Sequence, residues 1–267
     1  MRGGLGALVA VFLSADLGII ESETAPVTWG GYSQIRAELE LLGAAVKKHY
    51  SYYHLVSGHD LPLKQTGTIH SYFEDCGGKQ FVNFRPCDAG VLDRIRYYHL
   101  FQEMRGRNYT GIWQSLSDKT LKWQKSIGVD RLSTSNNTIY YGANWFSITH
   151  ELAEYVLARR SDIKRRYSYS VCADEVFLQT IVMNSGIDWR LSAPHTEYDL
   201  ISCMRFVDWT RGQPYTYRKE DFDLLMSSDY MFARKFDLEV DSEICSMIYN
   251  TLKGVVTKPL DRISTEG

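Results

Sequence analysis

The strongest constraint in this sequence is the alternation of short β-rich runs with helical runs along a chain of 267 residues. From Ser33 to His49 the apolar residues Ile35, Leu39, Leu42 and Val46 recur at the spacing of one face of an amphipathic helix. Tyr52 to Val56 reads as a strand that enters the loop Ser57-Gly-His-Asp-Leu-Pro-Leu63. Further helices are expected over Gln65–Glu74, Thr149–Arg159, Asp174–Asn184 and Lys219–Ser227. Further strands are expected over Lys79–Phe84, Arg94–Phe101, Thr138–Tyr141, Asp188–Leu191 and Cys203–Trp209. Strands alternating with helices of this length predict an α/β domain with a mostly parallel central sheet flanked by helices. No linker divides the chain, so residues 1–267 read as one domain, with 1–26 an atypical first element or anchor stub and 254–267 a loose tail. In such sheets ligands bind beyond the carboxyl ends of the strands. That directs attention to Ser57–Leu63, Gly142–Thr149, Tyr169–Asp174 and Trp209–Arg218.

Composition narrows the class. Hydrophobic residues at 44% and charged residues at 23% exclude a disordered or collagen-like chain. A net charge of −2 gives no bulk attraction to nucleic acid, so none is expected as a partner. The five cysteines, Cys76, Cys87, Cys172, Cys203 and Cys245, lack the close spacing of zinc sites or disulfide scaffolds and read as reduced thiols. The apolar run Leu5–Ala15 is too short to span a bilayer; it reads as a buried first strand or helix, with a signal h-region or anchor stub as the other reading. The sequons at Asn108 and Asn136 are patterns that arise by chance and do not argue for secretion.

Several catalytic signatures are missing. There is no P-loop, no G-x-G-x-x-G after a strand and no G-x-S-x-G elbow, and His150-Glu151 lacks the second histidine of a zincin. Asp221-Phe-Asp223 has the D-x-D form that sugar transferases use for Mn²⁺ or Mg²⁺, but it falls in an amphipathic helical pattern and reads as a solvated helix face.

Five segments stand in a telling order: Trp29-Gly-Gly-Tyr-Ser33, Tyr53-His-Leu-Val-Ser-Gly-His-Asp-Leu-Pro-Leu-Lys64, Gly142-Ala-Asn-Trp-Phe-Ser147, Ala173-Asp-Glu-Val-Phe-Leu-Gln-Thr180 and Phe232-Ala-Arg-Lys-Phe-Asp237. Together they resemble the core-2/I-branching β-1,6-N-acetylglucosaminyltransferase family, which includes the peptide O-xylosyltransferases. The resemblance implies a GT-A type nucleotide-sugar fold and an inverting transfer of GlcNAc or xylose from a UDP-sugar to a glycan or peptide hydroxyl. It implies catalysis without a divalent metal or other cofactor. The family's opening strand and H-x-D-like segment are not found before Val27, where Leu8–Ala15 reads as a degraded or substituted version. A protein that keeps the fold and binds glycan or nucleotide without catalysis therefore stays as the alternative. The compact length points to the cytoplasmic face of an inner membrane with peripheral association, or to the Golgi membrane in a eukaryotic host.

An inverting transfer needs a base for the acceptor hydroxyl and positive charge where the diphosphate leaves. By resemblance Glu175 is the base, expected in the first turn of the Asp174–Asn184 helix, with burial offsetting the acidifying helix terminus. Lys235 matches the family's diphosphate lysine. Arg211 is the first choice for a second cation and Arg218 the next, while Arg234 reads as a solvated or sheet-edge charge. Asp60 and Gly58 lie where such a fold meets the donor, although Asp60 also reads as a turn residue bonding its own backbone. Trp29, beside Gly30-Gly31, sits where the backbone can approach a ligand or a neighbouring strand. Trp145, Asn144 and Trp209 are assigned to the acceptor side, with a core role for either tryptophan as the other reading.

Overall fold

The stripe of Ile35, Leu39 and Leu42 forms the buried face of helix α1 (Tyr32–Ala45). The chain reverses at His49, in the left-handed region at φ 52°, and enters β1 (Tyr52–His54) and then β2 (Asp60–Pro62). Next come α2 (Thr66–Asp75), β3 (Phe81–Val82), α3 (Ala89–Arg96), α4 (Gln102–Arg105) and α5 (Ile112–Ser126). Strand β4 (Phe146–Thr149) runs directly into α6 (His150–Leu157), followed by α7 (Arg160–Tyr167) and α8 (Phe177–Met183). The chain closes with β5 (Arg205–Val207), α9 (Phe222–Ser227), β6 (Phe232–Arg234) and α10 (Ser242–Leu252). This computed structural model describes residues 26–107, 110–133, 135–193 and 200–253. The Leu5–Ala15 run, the Asn108 sequon and the tail after Lys253 lie outside them.

The described strands form two small sheets in place of the expected mostly parallel central one. The first, in the order β1-β4-β3, is antiparallel throughout, with Tyr53 opposite Ile148 and Phe81 opposite Ser147. The second, β2-β6-β5, pairs β2 with β6 antiparallel and β5 with β6 parallel. The sequence pattern hid β4 because Ser147 and Thr149 break its apolar run; both are buried and satisfied, Ser147 by His54 Nδ1 at 2.8 Å and Thr149 by Gln80. Of the expected strand Arg94–Phe101, the first three residues are instead the end of α3, whose start is capped by Asp88 accepting the Val91 N–H at 2.8 Å, and the rest is loop and turn. Thr138–Tyr141 and Asp188–Leu191 supply only isolated bridges, Tyr141 to Arg85 and Leu191 to Gln80. Strand β2 lies inside the segment read as a loop.

Side chains alternate across the first sheet as the pleat requires. Tyr53, Val82, Phe146 and Ile148 pack with α1, α6 and α8, while Tyr52 and Phe81 pack with Ile69 and Phe73 of α2. A third cluster joins Ala233 of the second sheet to Leu225 of α9 and to Ile244 and Ile248 of α10.

The two sheets meet at Arg205, which is 0% exposed. From β5 its guanidinium donates to the carbonyl oxygens of Leu55 at 2.9 Å and Phe146 at 3.3 Å in the first sheet, and to that of Cys203 at 2.8 Å. It also lies 4.1 Å over the ring of Phe232 in β6. Burial pulls its pKa down to about 10, so it remains a cation at neutral pH. Replacing Arg205 with Met removes donors from buried carbonyls, each of which costs about 1–3 kcal/mol when left unpaired. The variant is expected to lose about 2–4 kcal/mol in urea unfolding. An unchanged or raised midpoint would show that the guanidinium does not hold the sheets together.

Candidate functional site

The Asp174-Glu175 pair stands on a 3-10 turn, Ala173–Glu175, and not in the first turn of a continuous helix. Val176, at φ −127°, separates that turn from α8. The turn is anchored from two sides. Cys172, left-handed at φ 48°, donates its N–H to Gly30 O at 2.9 Å, and Glu175 O accepts the Gly142 N–H at 3.0 Å. A Cβ on Gly142 would stand 1.9 Å from the carbonyl oxygen of Asn83, so only glycine allows this approach. The close backbone approach expected beside Trp29 is also to protein: a Cβ on Gly31 would meet the Glu103 carboxylate, which accepts from Ser33 N and Oγ at 2.8 Å each.

The two carboxyls divide their environments. Glu175 Oε2 accepts from Arg94 Nη1 at 2.8 Å, and both side chains are about one third exposed. Arg94 in turn lies 5.6 Å over the ring of Tyr141. Asp174 is buried; its Oδ2 faces Gln34 Nε2 at 3.3 Å and Asn144 Nδ2 at 3.5 Å, while its Oδ1 has no hydrogen-bond partner. Burial, reinforced by the neighbouring Glu175 charge, pushes the Asp174 carboxyl up to about 7. Glu38, one turn beyond Gln34 on α1, is fully buried with both oxygens unpartnered, and burial followed by the Asp174 charge raises it well above the usual carboxylate range. The burial expected at Glu175 thus falls on Asp174 and Glu38.

Asn144 connects this turn to Trp145, and the ring of Trp145 is covered at 4.2 Å by the guanidinium of Arg234. Arg234 is therefore neither a solvated nor an edge charge, because β6 is the central strand of its sheet. It stands 3.5 Å from Asp60 Oδ1, whose side chain is 1% exposed. Asp60 does bond its own turn, accepting from Ser57 N at 2.7 Å and Ser57 Oγ at 3.1 Å. It also feels Arg205, so two guanidiniums converge on this one buried carboxylate. Gly58 lies exposed at the tip of the same turn. Trp29, half-buried, carries the guanidinium of Arg107 at 5.0 Å, and the Arg107 charge reaches Arg234.

Lys235 continues β6; its N–H donates to Tyr215 O at 3.3 Å and its carbonyl accepts from Tyr217 N at 2.9 Å. Arg211 lies 4.0 Å over the Tyr215 ring, which brings the two expected cations to one segment. Lys235 Nζ meets Asp237 only at 4.0 Å, whereas Arg211 is held by Asp208 and, at 2.6 Å, by Asp221. Arg218 is exposed and lines a depression of about 450 Å³ that also contains Glu220, Glu239 and Asp241. Trp209 is 49% exposed just beyond β5. Asp221 is buried against Arg211 and the Arg218 N–H, while Asp223 is exposed. Among the described residues, no three His, Cys, Asp or Glu side chains are grouped to hold a metal ion. Sequence reasoning missed Arg94, Asp174 and the buried role of Arg234; the Asp88 cap would have placed Arg94 on a helix, but nothing local marks it as the partner of Glu175.

Residues 10–226 match the sequence model of the Core-2/I-branching enzyme. Mouse N-acetyllactosaminide β-1,6-N-acetylglucosaminyl-transferase is 23% identical over 254 residues, which cover 89% of this chain and 59% of that protein. Mouse xylosyltransferase 1 is 23% identical over 244 residues, 85% of this chain and 24% of that protein. A bovine β-1,3-galactosyl-O-glycosyl-glycoprotein β-1,6-N-acetylglucosaminyltransferase is 22% identical over 205 residues, 64% of this chain and 48% of that protein. The chain thus spans 59% or less of the length of these relatives.

The elevated Asp174 pKa has a stability consequence. The folded protein retains a proton that the unfolded chain, with an ordinary Asp near 3.9, releases earlier. Stability from this group is therefore fully present below about pH 4 and is lost as pH rises through about 7. Asp174→Asn removes the ionisation. Its stability relative to the parent is expected to be clearly greater at pH 8 than at pH 5, by up to a few kcal/mol. Equal differences at the two pH values would place the titration elsewhere.

Proposed function

The chain belongs to the Core-2/I-branching enzyme family, and from that premise we propose that it is a GT-A type inverting glycosyltransferase. It would move GlcNAc or xylose from a UDP-sugar to a hydroxyl of a glycan or peptide without a divalent metal. The observation that carries the proposal is the distribution of charge. Positive residues, Arg234 and Lys235 with Arg211 over Tyr215, are joined through Trp145 and Asn144 to Asp174, whose neighbour on the Ala173–Glu175 turn is the partly exposed carboxylate of Glu175. Such an arrangement suits a reaction in which one end gathers negative charge while the other accepts a proton.

In this mechanism Glu175 is the base. Arg94 holds Oε2 and fixes the direction of the carboxylate, and Oε1 takes the proton of the acceptor hydroxyl as that oxygen attacks the anomeric carbon. The bond from the anomeric carbon to the diphosphate oxygen breaks on the opposite face, inverting the configuration. Lys235 and Arg211 receive the diphosphate as its charge develops, and exposed Arg218 is the further cation on that side. Charge-assisted bonds from such groups are about twice as strong as neutral ones. Asp60 serves the donor side by fixing Arg234, Gly58 leaves room for the nucleotide at the turn, and Trp29 walls the donor with Arg107. Trp145 and Trp209 offer ring faces to the acceptor, and Asn144 holds the acceptor side to the base turn.

A screen of UDP-sugars by UDP release, run with a chelator present, tests this reading. Glu175→Gln is expected to keep UDP affinity within about twofold and to lose about 10²–10⁴-fold in turnover, the scale of general-base catalysis. Undiminished turnover would remove Glu175 from the base role. A parent chain that binds UDP yet transfers no sugar to any acceptor would assign it to the non-catalytic alternative.

A further inference from the structure

Helix α5 is turned inside out. The residues it buries are Ser117 and Gln124. The Gln124 side chain accepts the Tyr98 N–H at 2.7 Å and donates to Tyr98 O at 2.9 Å, acting as a substitute for a backbone pair. Gln114, near the start of the helix, accepts from Arg105 of α4 at 2.6 Å. These polar contacts fix the roll of the helix about its axis. At about 100° per residue Ile112, Leu116, Trp123 and Ile127 fall within about 60° of one another, about a quarter turn round from Gln124, with Leu116 half-buried and the other three exposed. Ile112 is 69% exposed, Trp123 61% and Ile127 56%, which makes them among the most exposed large apolar side chains described. Scattered single apolar residues on a surface are ordinary, but a stripe along one helix is not.

The flanks of the stripe carry Lys119 and Lys122, both exposed and both without an ion pair among those described. Lys125, on the other side, is held by Asp93 at 3.0 Å. A helix with an aromatic and aliphatic ridge bordered by unpaired lysines has the make-up of one that lies in the plane of a bilayer surface, its ridge among the acyl chains and its ammonium groups among anionic headgroups. Two exposed lysines without an ion pair call for an anionic occupant, so charge complementarity favours anionic lipid. We propose that α5 docks this protein on an anionic membrane surface through Ile112, Trp123 and Ile127, with Lys119 and Lys122 pairing with lipid phosphates. The inference does not depend on the glycosyltransferase reading, and its test contains no donor or acceptor.

The test is sedimentation of the full chain with vesicles of phosphatidylcholine alone and of phosphatidylcholine with about one third phosphatidylglycerol, alongside Trp123→Ser/Ile127→Ser and Lys119→Glu/Lys122→Glu. All four positions are solvent-exposed, so the fold is expected to survive, and thermal unfolding of each variant checks it. Binding is expected on the anionic vesicles, with a loss of about tenfold or more in partitioning for each double variant, given the apolar area and the charge removed. Added salt should weaken the parent's binding. Absence of binding to anionic vesicles, or binding that folded variants retain in full, would overturn the proposal; the latter would place the membrane contact on another segment. A concentration-dependent dimer that Trp123→Ser/Ile127→Ser dissolves, without vesicle binding, would assign the face to a second copy and overturn it as well.

Discussion

The fold depends on one buried guanidinium. The strands form two separate three-stranded sheets, and Arg205 is where backbone carbonyls at the first meet an aromatic ring of the second. A leucine in its place would fill the space without answering the Leu55 carbonyl. A lysine would answer it without the planar stack on Phe232. The same cation sets the electrostatics next door: with Arg234 it flanks Asp60, two guanidiniums to one buried carboxylate.

A second division of labour occurs at Asp174 and Glu175. Adjacent residues on a turn point to different surroundings, one into a buried pocket shared with Glu38 and one toward solvent and Arg94. Keeping a proton on the buried side limits the negative charge behind Glu175, which would otherwise share its turn with further unpaired anions.

Much of this was legible in the sequence wherever a local rule was sufficient. The 3.6-residue stripe located α1, and a run of aromatics located β1. The ordered motifs located the segments around Trp29, Asp60, Asn144, Glu175 and Lys235, the family membership then resting on the match over residues 10–226. What failed was whatever tertiary pairing decides. Strand β4 carries Ser147 and Thr149 inward because His54 and Gln80 await them, partners remote in sequence. Arg94 was misread because a β-like run of aromatics followed it, although Asp88 offered a helix cap. Arg234 looked like a surface charge because the strand that buries it is three residues long and paired on both sides by distant segments.

The central claim is that side-chain cations beside β6 receive a diphosphate. Calorimetric titration of UDP and of uridine, in chelator, against the parent chain and Lys235→Met tests it most directly. The parent is expected to prefer UDP strongly, and the variant to lose about ten- to a hundredfold of that preference, the worth of one charge-assisted bond, while uridine affinity stays the same. Equal affinity of the parent for UDP and uridine, or a preference that survives the substitution intact, would contradict it.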